Sequence, residues 1–373
     1  MELATQPMSQ WSGVEGRPLV ISGPCSAESE AQVMETARRL SALRVDYFRA
    51  GIWKARTRPS TFEGIGETAL PWLRCAGATY GMKTATEVAT ARHVELALEN
   101  GIDLLWIGAR TTVNPFSVQE IATALRGTSV PVLIKNPTSP DLALWLGAVE
   151  RVYGAGVRAL GVIHRGFTTA GQTRFRNTPM WDRAIEFRRM LPDVPILADP
   201  SHICGRRDLL LEIAQTAMDL GLDGLMIESH PNPDQAWSDA TQQITPERLG
   251  ELLARMVVPA PGSNAAAYSA AIEALRDQID HVDRELLDLL GRRMQVVDQI
   301  ARCKKDNNVT ALQVERWRAL LDDRVSQARS LGLSADYARA LYEIIHVESV
   351  RRQSALMHAG DEPADTPPPD ATA

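Results

Sequence analysis

Between residues 1 and 258 the chain alternates short β-rich runs with helical stretches. The runs are "PLVIS" (18–22), "DYFRAG" (46–51), "MKTATEV" (82–88), "DLLWIG" (103–108), "PVLIKN" (131–136), "ALGVIHR" (159–165), "PILADPS" (195–201) and "DGLMIES" (223–229). Most are nearly continuous apolar segments, the pattern of parallel strands covered on both faces. Helical segments such as "SEAQVMETARRLSAL" and "SPDLALWLGAVERVYGAG" lie between them. Eight such β–α repeats in this length predict a closed α/β TIM (β/α)8 barrel. An open doubly wound sheet would more often show about six strands and a glycine-rich first turn, and "GxGxxG" is absent.

The alternation stops at "VVPAPGSNAAA" (257–267), whose Pro, Gly, Ser and Ala content marks a linker. The expected organisation is a barrel over 1–258, a linker over 259–267, an all-α domain over 268–358 and a disordered acidic, Pro-rich tail over 359–373. Helices are expected near 268–306, 311–330 and 335–357. A net charge of −6 argues against a nucleic-acid partner, which needs a basic face. No run of about 18 apolar residues suggests a membrane span, and "MELATQPMSQWSG" lacks the basic start and apolar core of a secretory signal. Four widely spread cysteines fit reduced thiols and a cytoplasmic setting.

In such a barrel, chemistry sits where the strands end. The first strand leads to Cys25. The second gives Arg49 and then Lys54, Arg56 and Thr57; the fourth gives Arg110, the fifth Lys135, and the sixth His164 and Arg165. The seventh gives Asp199 and His202, the eighth Glu228 and His230, and Asp239 follows on the next loop. Cys25, His202, Glu228 and Asp239 offer S, N, O and O donors, a set suited to a divalent transition metal. Arg49, Arg110, Lys135 and Arg165 would repel one another unless anions lay among them. A ligand with both phosphate and carboxylate meets that need, and guanidinium forks suit both groups. Arg56 and Thr57 read as a second phosphate site.

Residues 17–258 resemble the short 3-deoxy-D-arabino-heptulosonate 7-phosphate (DAHP) synthases of the type I group. The resemblance rests on "GPCSAES", "RAGIWKARTRPSTFEG", "IGAR", "LIKNP", "GVIHRGF", "DPSH" and "MIESH" followed by "SDATQQITP". It implies condensation of phosphoenolpyruvate with erythrose 4-phosphate. By motif, Arg49, Arg110, Lys135 and Arg165 would hold phosphoenolpyruvate, and Arg56 and Thr57 the aldose phosphate. Cys25, His202, Glu228 and Asp239 would ligate a divalent metal, with Mn2+ the first expectation and Co2+, Zn2+ or Fe2+ the others. Lys54 would donate a proton to the new alkoxide. A Schiff-base aldolase is the rival reading for any lysine at a barrel rim. Where many members have "KPRT" this chain has "KART", and Ala55 removes a rigid φ without removing a functional group.

The first helix beyond the linker carries an apolar stripe from Ile272 to Ile300 at helical spacing, with Arg293 on it and Lys304 continuing it. A cation buried without a partner is costly, so these residues lie at a wet edge, such as the end of a dimer-forming coiled coil, or face an anion. The last helix repeats the anomaly at Ser349 and Gln353. Residues 268–357 resemble the all-helical chorismate mutases through "ALRDQIDHVDRELLDLLGRRM", "RCKK" and "YEIIHVESVRRQ". That resemblance implies an interlocked homodimer that rearranges chorismate to prephenate. Arg276 of the partner subunit, Arg293, Arg316 and Ser349 would contact the substrate, and Lys304 and Gln353 its ether oxygen. Gln313 and Trp317 stand where the family often has acidic residues; Gln313 could still reach the ring hydroxyl. The alternative is an active synthase whose helices dimerise and sense chorismate or prephenate. Feedback by prephenate is a further expectation.

Overall fold

The computed structural model describes residues 3–54, 61–171, 173–260, 262 and 265–358. Arg56 and Thr57, with Ala55 beside them, and the acidic tail lie outside these residues. The chain divides into two compact units, Met1–Pro261 and Gly262–Ala373.

In the first unit all eight expected runs form parallel strands: β1 (Leu19–Gly23), β2 (Tyr47–Arg49), β3 (Lys83–Val88), β4 (Leu104–Ile107), β5 (Val132–Lys135), β6 (Leu160–His164), β7 (Ile196–Ala198) and β8 (Gly224–Glu228). They close in chain order into a barrel, with Leu19 to Gly23 of β1 registered against Gly224 to Glu228 of β8. Side chains two apart on a strand share a face, and this period sorts the interior into layers. Leu19, Ile21, Tyr47, Ala85, Leu104, Trp106, Leu133, Ile163, Leu197 and Met226 pack into one buried cluster. One step further along the same inward rows come Arg49 after Tyr47, Lys135 after Leu133 and Glu228 after Met226, all buried. The apolar layer is thus a floor and the charged layer stands at the C-terminal mouth. A second apolar shell joins the outer strand faces to the surrounding helices.

A short helix before β1, Met8–Ser12, places Trp11 and Val14 in the inner cluster. Lys83, at the first residue of β3, donates to the Ser12 carbonyl at 2.9 Å, so this segment plugs the N-terminal end of the barrel. At the opposite end, β1 needs Gly23 for close approach. A Cβ there would lie 1.9 Å from the Arg49 carbonyl oxygen. The chains carrying Cys25 and Arg49 therefore leave the barrel side by side.

Among its described residues the second unit holds three helices, Ala266–Asp306, Val314–Ser330 and Ala335–His358. Leu321, Val325, Ala328 and Ala338 form its buried cluster, with Trp317 and Tyr342 packed against it. Much of the apolar stripe on the long helix is uncovered: Leu275, Ile279, Val282, Leu286, Leu289, Val296 and Ile300 are all exposed. Their steps of three, four and, from Leu289 to Val296, seven fit the repeat of a coiled-coil seam. No described helix is long and apolar enough to cross a membrane.

Candidate active site

Four elements meet at the barrel mouth. Cys25 follows β1, Glu228 ends β8, and Asp239 lies on the loop beyond it. One donor atom from each of these three residues falls within 4.8 Å of the others. His202 stands beside them on the short helix Pro200–Cys204, with Nε2 3.9 Å from Glu228 Oε1 and 4.0 Å from Asp239 Oδ2. The Cys25 Sγ is 3.6 Å from Asp239 Oδ2.

Asp199 explains the aim of His202. It caps the helix by accepting from the His202 backbone N–H at 3.1 Å, and its other oxygen lies 2.9 Å from His202 Nδ1. A carboxylate only accepts, so Nδ1 carries a proton, which leaves Nε2 as the nitrogen that would offer its lone pair to a cation in the cluster. Lys135 Nζ closes on the same carboxylate at 2.7 Å. Burial alone would raise the Asp199 pKa, but His202 and Lys135 outweigh it and hold the group well below the usual aspartate range.

The electrostatics favour a cation in the middle. Burial, with Glu228 and Asp239 adding to it, pushes the Cys25 thiol up to about 12. Burial would raise Glu228 as well, yet His202 and Arg49 keep it below its ordinary value. A thiol, an imidazole lone pair and two carboxylates that share so little space fit a divalent metal, whose charge would favour the thiolate.

The positive groups gather against the cluster. Arg49 reaches Glu228 Oε1 at 3.2 Å and the Cys25 carbonyl at 2.9 Å. Lys54 Nζ donates to the Cys25 carbonyl and lies 3.3 Å from its Sγ. Gly51 makes room for it, because a Cβ there would fall 2.4 Å from Lys54 Nζ. The face of Trp106 receives both Arg49 at 4.8 Å and Lys135 at 5.9 Å. Arg165 is buried and donates to Asn177 Oδ1 at 2.6 Å. Burial pushes its pKa down to about 10, and Arg176 and Arg110 add to that against the pull of Asp199. Arg110, on the helical turn Ala109–Thr112, is exposed. A mouth lined this way suits an anion that carries more than one acidic group.

Some residues of this site carried no signal in the sequence reading. Trp106 forms the floor under two cations. Asn136 accepts from the Arg165 N–H at 2.7 Å and donates to Gly166 at 2.8 Å, which fixes the turn after β6. Arg176 reaches Asp239 Oδ1 at 3.2 Å. Each depends on pairings between distant segments.

In the helical unit, Arg293 Nη1 donates to Ser349 Oγ at 2.7 Å, and Lys304 Nζ donates to Gln353 Oε1 at 3.0 Å. Ser349 and Gln353 are buried. Burial lowers the pKa of both Arg293 and Lys304. Beside them Trp317 stacks on His346, rings 3.9 Å apart and 11° from parallel. Gln313 and Arg316 are exposed at the start of the helix Val314–Ser330. Arg276 is exposed on the long helix, roughly 25 Å from Arg293 at 1.5 Å per residue.

With these geometries in place, comparison with known proteins decides the family. The sequence model described as the DAHP synthetase I family matches residues 4–258. The chain belongs to that family. The model for chorismate mutase type II matches residues 275–354. A phospho-2-dehydro-3-deoxyheptonate aldolase of Thermotoga maritima is 35% identical over 237 residues, covering 64% of this chain and 68% of that protein. A 2-dehydro-3-deoxyphosphooctonate aldolase of Nitrobacter winogradskyi is 28% identical, covering 69% of this chain and 93% of that protein. The crystal structure of the Thermotoga maritima DAHP synthase superposes with a TM-score of 0.58 at 33% identity, over 64% of this chain and 68% of that one. A truncated form of the Thermotoga maritima synthase gives 0.56 at 32% identity, over 64% and 85%. The barrel is a DAHP synthase domain and the helical unit carries a chorismate mutase domain. The protein is therefore an enzyme with both activities, and its roles lie in the shikimate pathway.

Proposed function

We propose that the barrel joins phosphoenolpyruvate to erythrose 4-phosphate with a divalent metal held by Cys25, His202, Glu228 and Asp239. The observation that carries this is the packing of a thiol, two carboxylates and an imidazole against Arg49 and Lys54 at the barrel mouth. A bound metal supplies Lewis acidity toward the aldehyde carbonyl. Mn2+ is our first assignment. Arg49, Arg110, Lys135 and Arg165 bind the carboxylate and phosphate of phosphoenolpyruvate, with Trp106 beneath Arg49 and Lys135. Arg56 and Thr57 take the aldose phosphate.

The methylene carbon of phosphoenolpyruvate attacks the aldehyde carbon and forms the new C–C bond. Lys54 gives its proton to the resulting alkoxide. Water adds at C2 of the former enol, and inorganic phosphate leaves by C–O cleavage. No lysine imine is needed. Borohydride with substrate should therefore leave no covalent adduct.

The helical unit binds the compact conformer of chorismate and stabilises charge on the breaking ether oxygen through Lys304 and Gln353. Arg293, Ser349 and Arg316 take carboxylates and ring, and Gln313 the ring hydroxyl. Arg276 serves the site of a second copy. Its separation from Arg293 along one helix supports that exchange, and so does the uncovered seam from Leu275 to Ile300. The protein is a homodimer through this seam. A cytoplasmic setting follows from the need to keep Cys25 reduced as a ligand.

The test is phosphate release from phosphoenolpyruvate and erythrose 4-phosphate, measured on metal-stripped and Mn2+-loaded full-length protein. A five-carbon aldose phosphate is the control acceptor. Turnover without metal, or with the five-carbon acceptor alone, overturns the assignment. Loss of chorismate absorbance tests the second activity in the same sample. No loss there would leave the helices as a sensing and dimerising module.

A further inference from the structure

The loop after β8 carries two consecutive glutamines, Gln242 and Gln243, both fully buried. Their side chains reach different parts of the barrel. Gln242 Nε2 donates to Glu228 Oε2 at 2.7 Å, while its Oε1 accepts from Arg176 Nη1 at 2.6 Å. Gln243 Oε1 accepts from the Cys25 backbone N–H at 2.9 Å, while its Nε2 donates to the Ser238 carbonyl at 2.8 Å.

In each case one partner can only accept and the other can only donate. A carboxylate and a carbonyl have no proton to give; a guanidinium and a peptide N–H have no lone pair to offer. A primary amide of this length satisfies both at once. Glutamate at 242 would set a second carboxylate against Glu228, and methionine would strand both partners in a buried site.

The loop between these anchors is tightly formed. Asp239 adopts φ +48°, the left-handed region that aspartate tolerates better than bulkier residues. The Gln242 N–H closes the turn on the Asp239 carbonyl at 3.2 Å. Ile244 then bridges in parallel to Ser229. Arg176, fixed by Gln242, also reaches Asp239 Oδ1.

We propose that Gln242 and Gln243 are positioning residues that assemble the metal site from separate barrel elements. Gln242 ties the Glu228 carboxylate to the Asp239 loop, and Gln243 ties the Cys25 backbone to the same loop. This rests on the metal assignment made above. Losing a group that orients a metal ligand commonly weakens metal binding by about 10–100-fold.

The experiment compares full-length wild type with Gln242→Met and Gln243→Met, each at a temperature where circular dichroism shows it folded. Mn2+ affinity is measured by equilibrium dialysis. Co2+ titration reads the thiolate-to-cobalt absorption band. Each variant is expected to raise the metal Kd about 10–100-fold, and Gln243→Met is expected to alter the thiolate band more than Gln242→Met does. Wild-type Kd and spectrum in both variants, even with a lowered melting temperature, would overturn the proposal. So would failure of both variants to fold, which makes the glutamines structural. A wild type that binds neither ion would sink the metal assignment itself, and this inference with it.

Discussion

Asp199→Asn is the most informative single change, because one buried carboxylate holds two functional groups. Its oxygens accept from Lys135 Nζ at 2.7 Å, from His202 Nδ1 at 2.9 Å and from the His202 backbone N–H at 3.1 Å. Every partner is a donor. Asparagine keeps the shape but replaces one acceptor with an NH2, so one donor must face another. If the amide oxygen stays on His202, the Lys135 ammonium is left buried without its counter-charge. Breaking a buried pair from one side costs about 3–5 kcal/mol. At about 2–4 °C per kcal/mol for a domain of this size, the barrel should melt about 6–20 °C lower. If the amide oxygen takes the Oδ2 place, it still accepts from Lys135 and Nδ1, but the NH2 then faces the His202 backbone N–H and the helix cap that aims His202 is lost.

Either outcome weakens metal binding, by about 10–100-fold, which corresponds to about 1.4–2.7 kcal/mol at 1.36 kcal/mol per decade. Calorimetric melting of metal-free protein reads the first quantity and Mn2+ titration the second. Phosphoenolpyruvate should raise the melting temperature of the variant more than that of wild type, because its anionic groups give Lys135 a new partner. A variant that melts within about 2 °C of wild type and keeps its Mn2+ affinity would refute the reasoning.

Lys304→Ala should lower chorismate turnover about 100–1,000-fold, the usual loss for one donor to a developing oxyanion, while phosphate release by the barrel persists. Leu286→Glu puts a charge in the middle of the uncovered seam and should convert the proposed dimer to monomers in sedimentation velocity, with chorismate mutase activity falling in parallel. Burial, with Arg293 and Lys304 adding to it, lowers the His346 pKa. The stability this implies is full above the unfolded histidine value near pH 6.5 and is lost as pH falls toward the folded value. His346→Leu should flatten the acid side of the stability profile of the helical unit, read by circular dichroism melts from pH 7 to 4.5. Prephenate is expected to slow phosphate release by wild type and to leave Arg293→Ala unaffected in the same assay.

The strands were legible because parallel strands buried on both faces must be written as short apolar runs, and eight such runs left one architecture that fits. The charged residues at their ends were legible for a related reason. A step of two past an inward apolar residue puts Arg49, Lys135 and Glu228 at the mouth, and charge there demands a ligand. The helical pairs Arg293 with Ser349 and Lys304 with Gln353 were foreshadowed as polar breaks in apolar stripes. Trp106 looked like any core aromatic within "DLLWIG". Gln242 and Gln243 looked like a polar loop, since neutral amides show no purpose until their partners are known. The helix Met8–Ser12 had no periodic run long enough to read.

By itself the sequence determined the barrel count, the order of the two units, and which side chains carry reactive chemistry, because local pattern and residue type encode these. Tertiary structure decided which of those groups meet. A hydrogen bond between Gln243 and Cys25 joins residues far apart in the chain, and it exists because β1 and β8 close the barrel edge to edge in one register. That closure is a property of the whole sheet, and no local stretch of sequence specifies it.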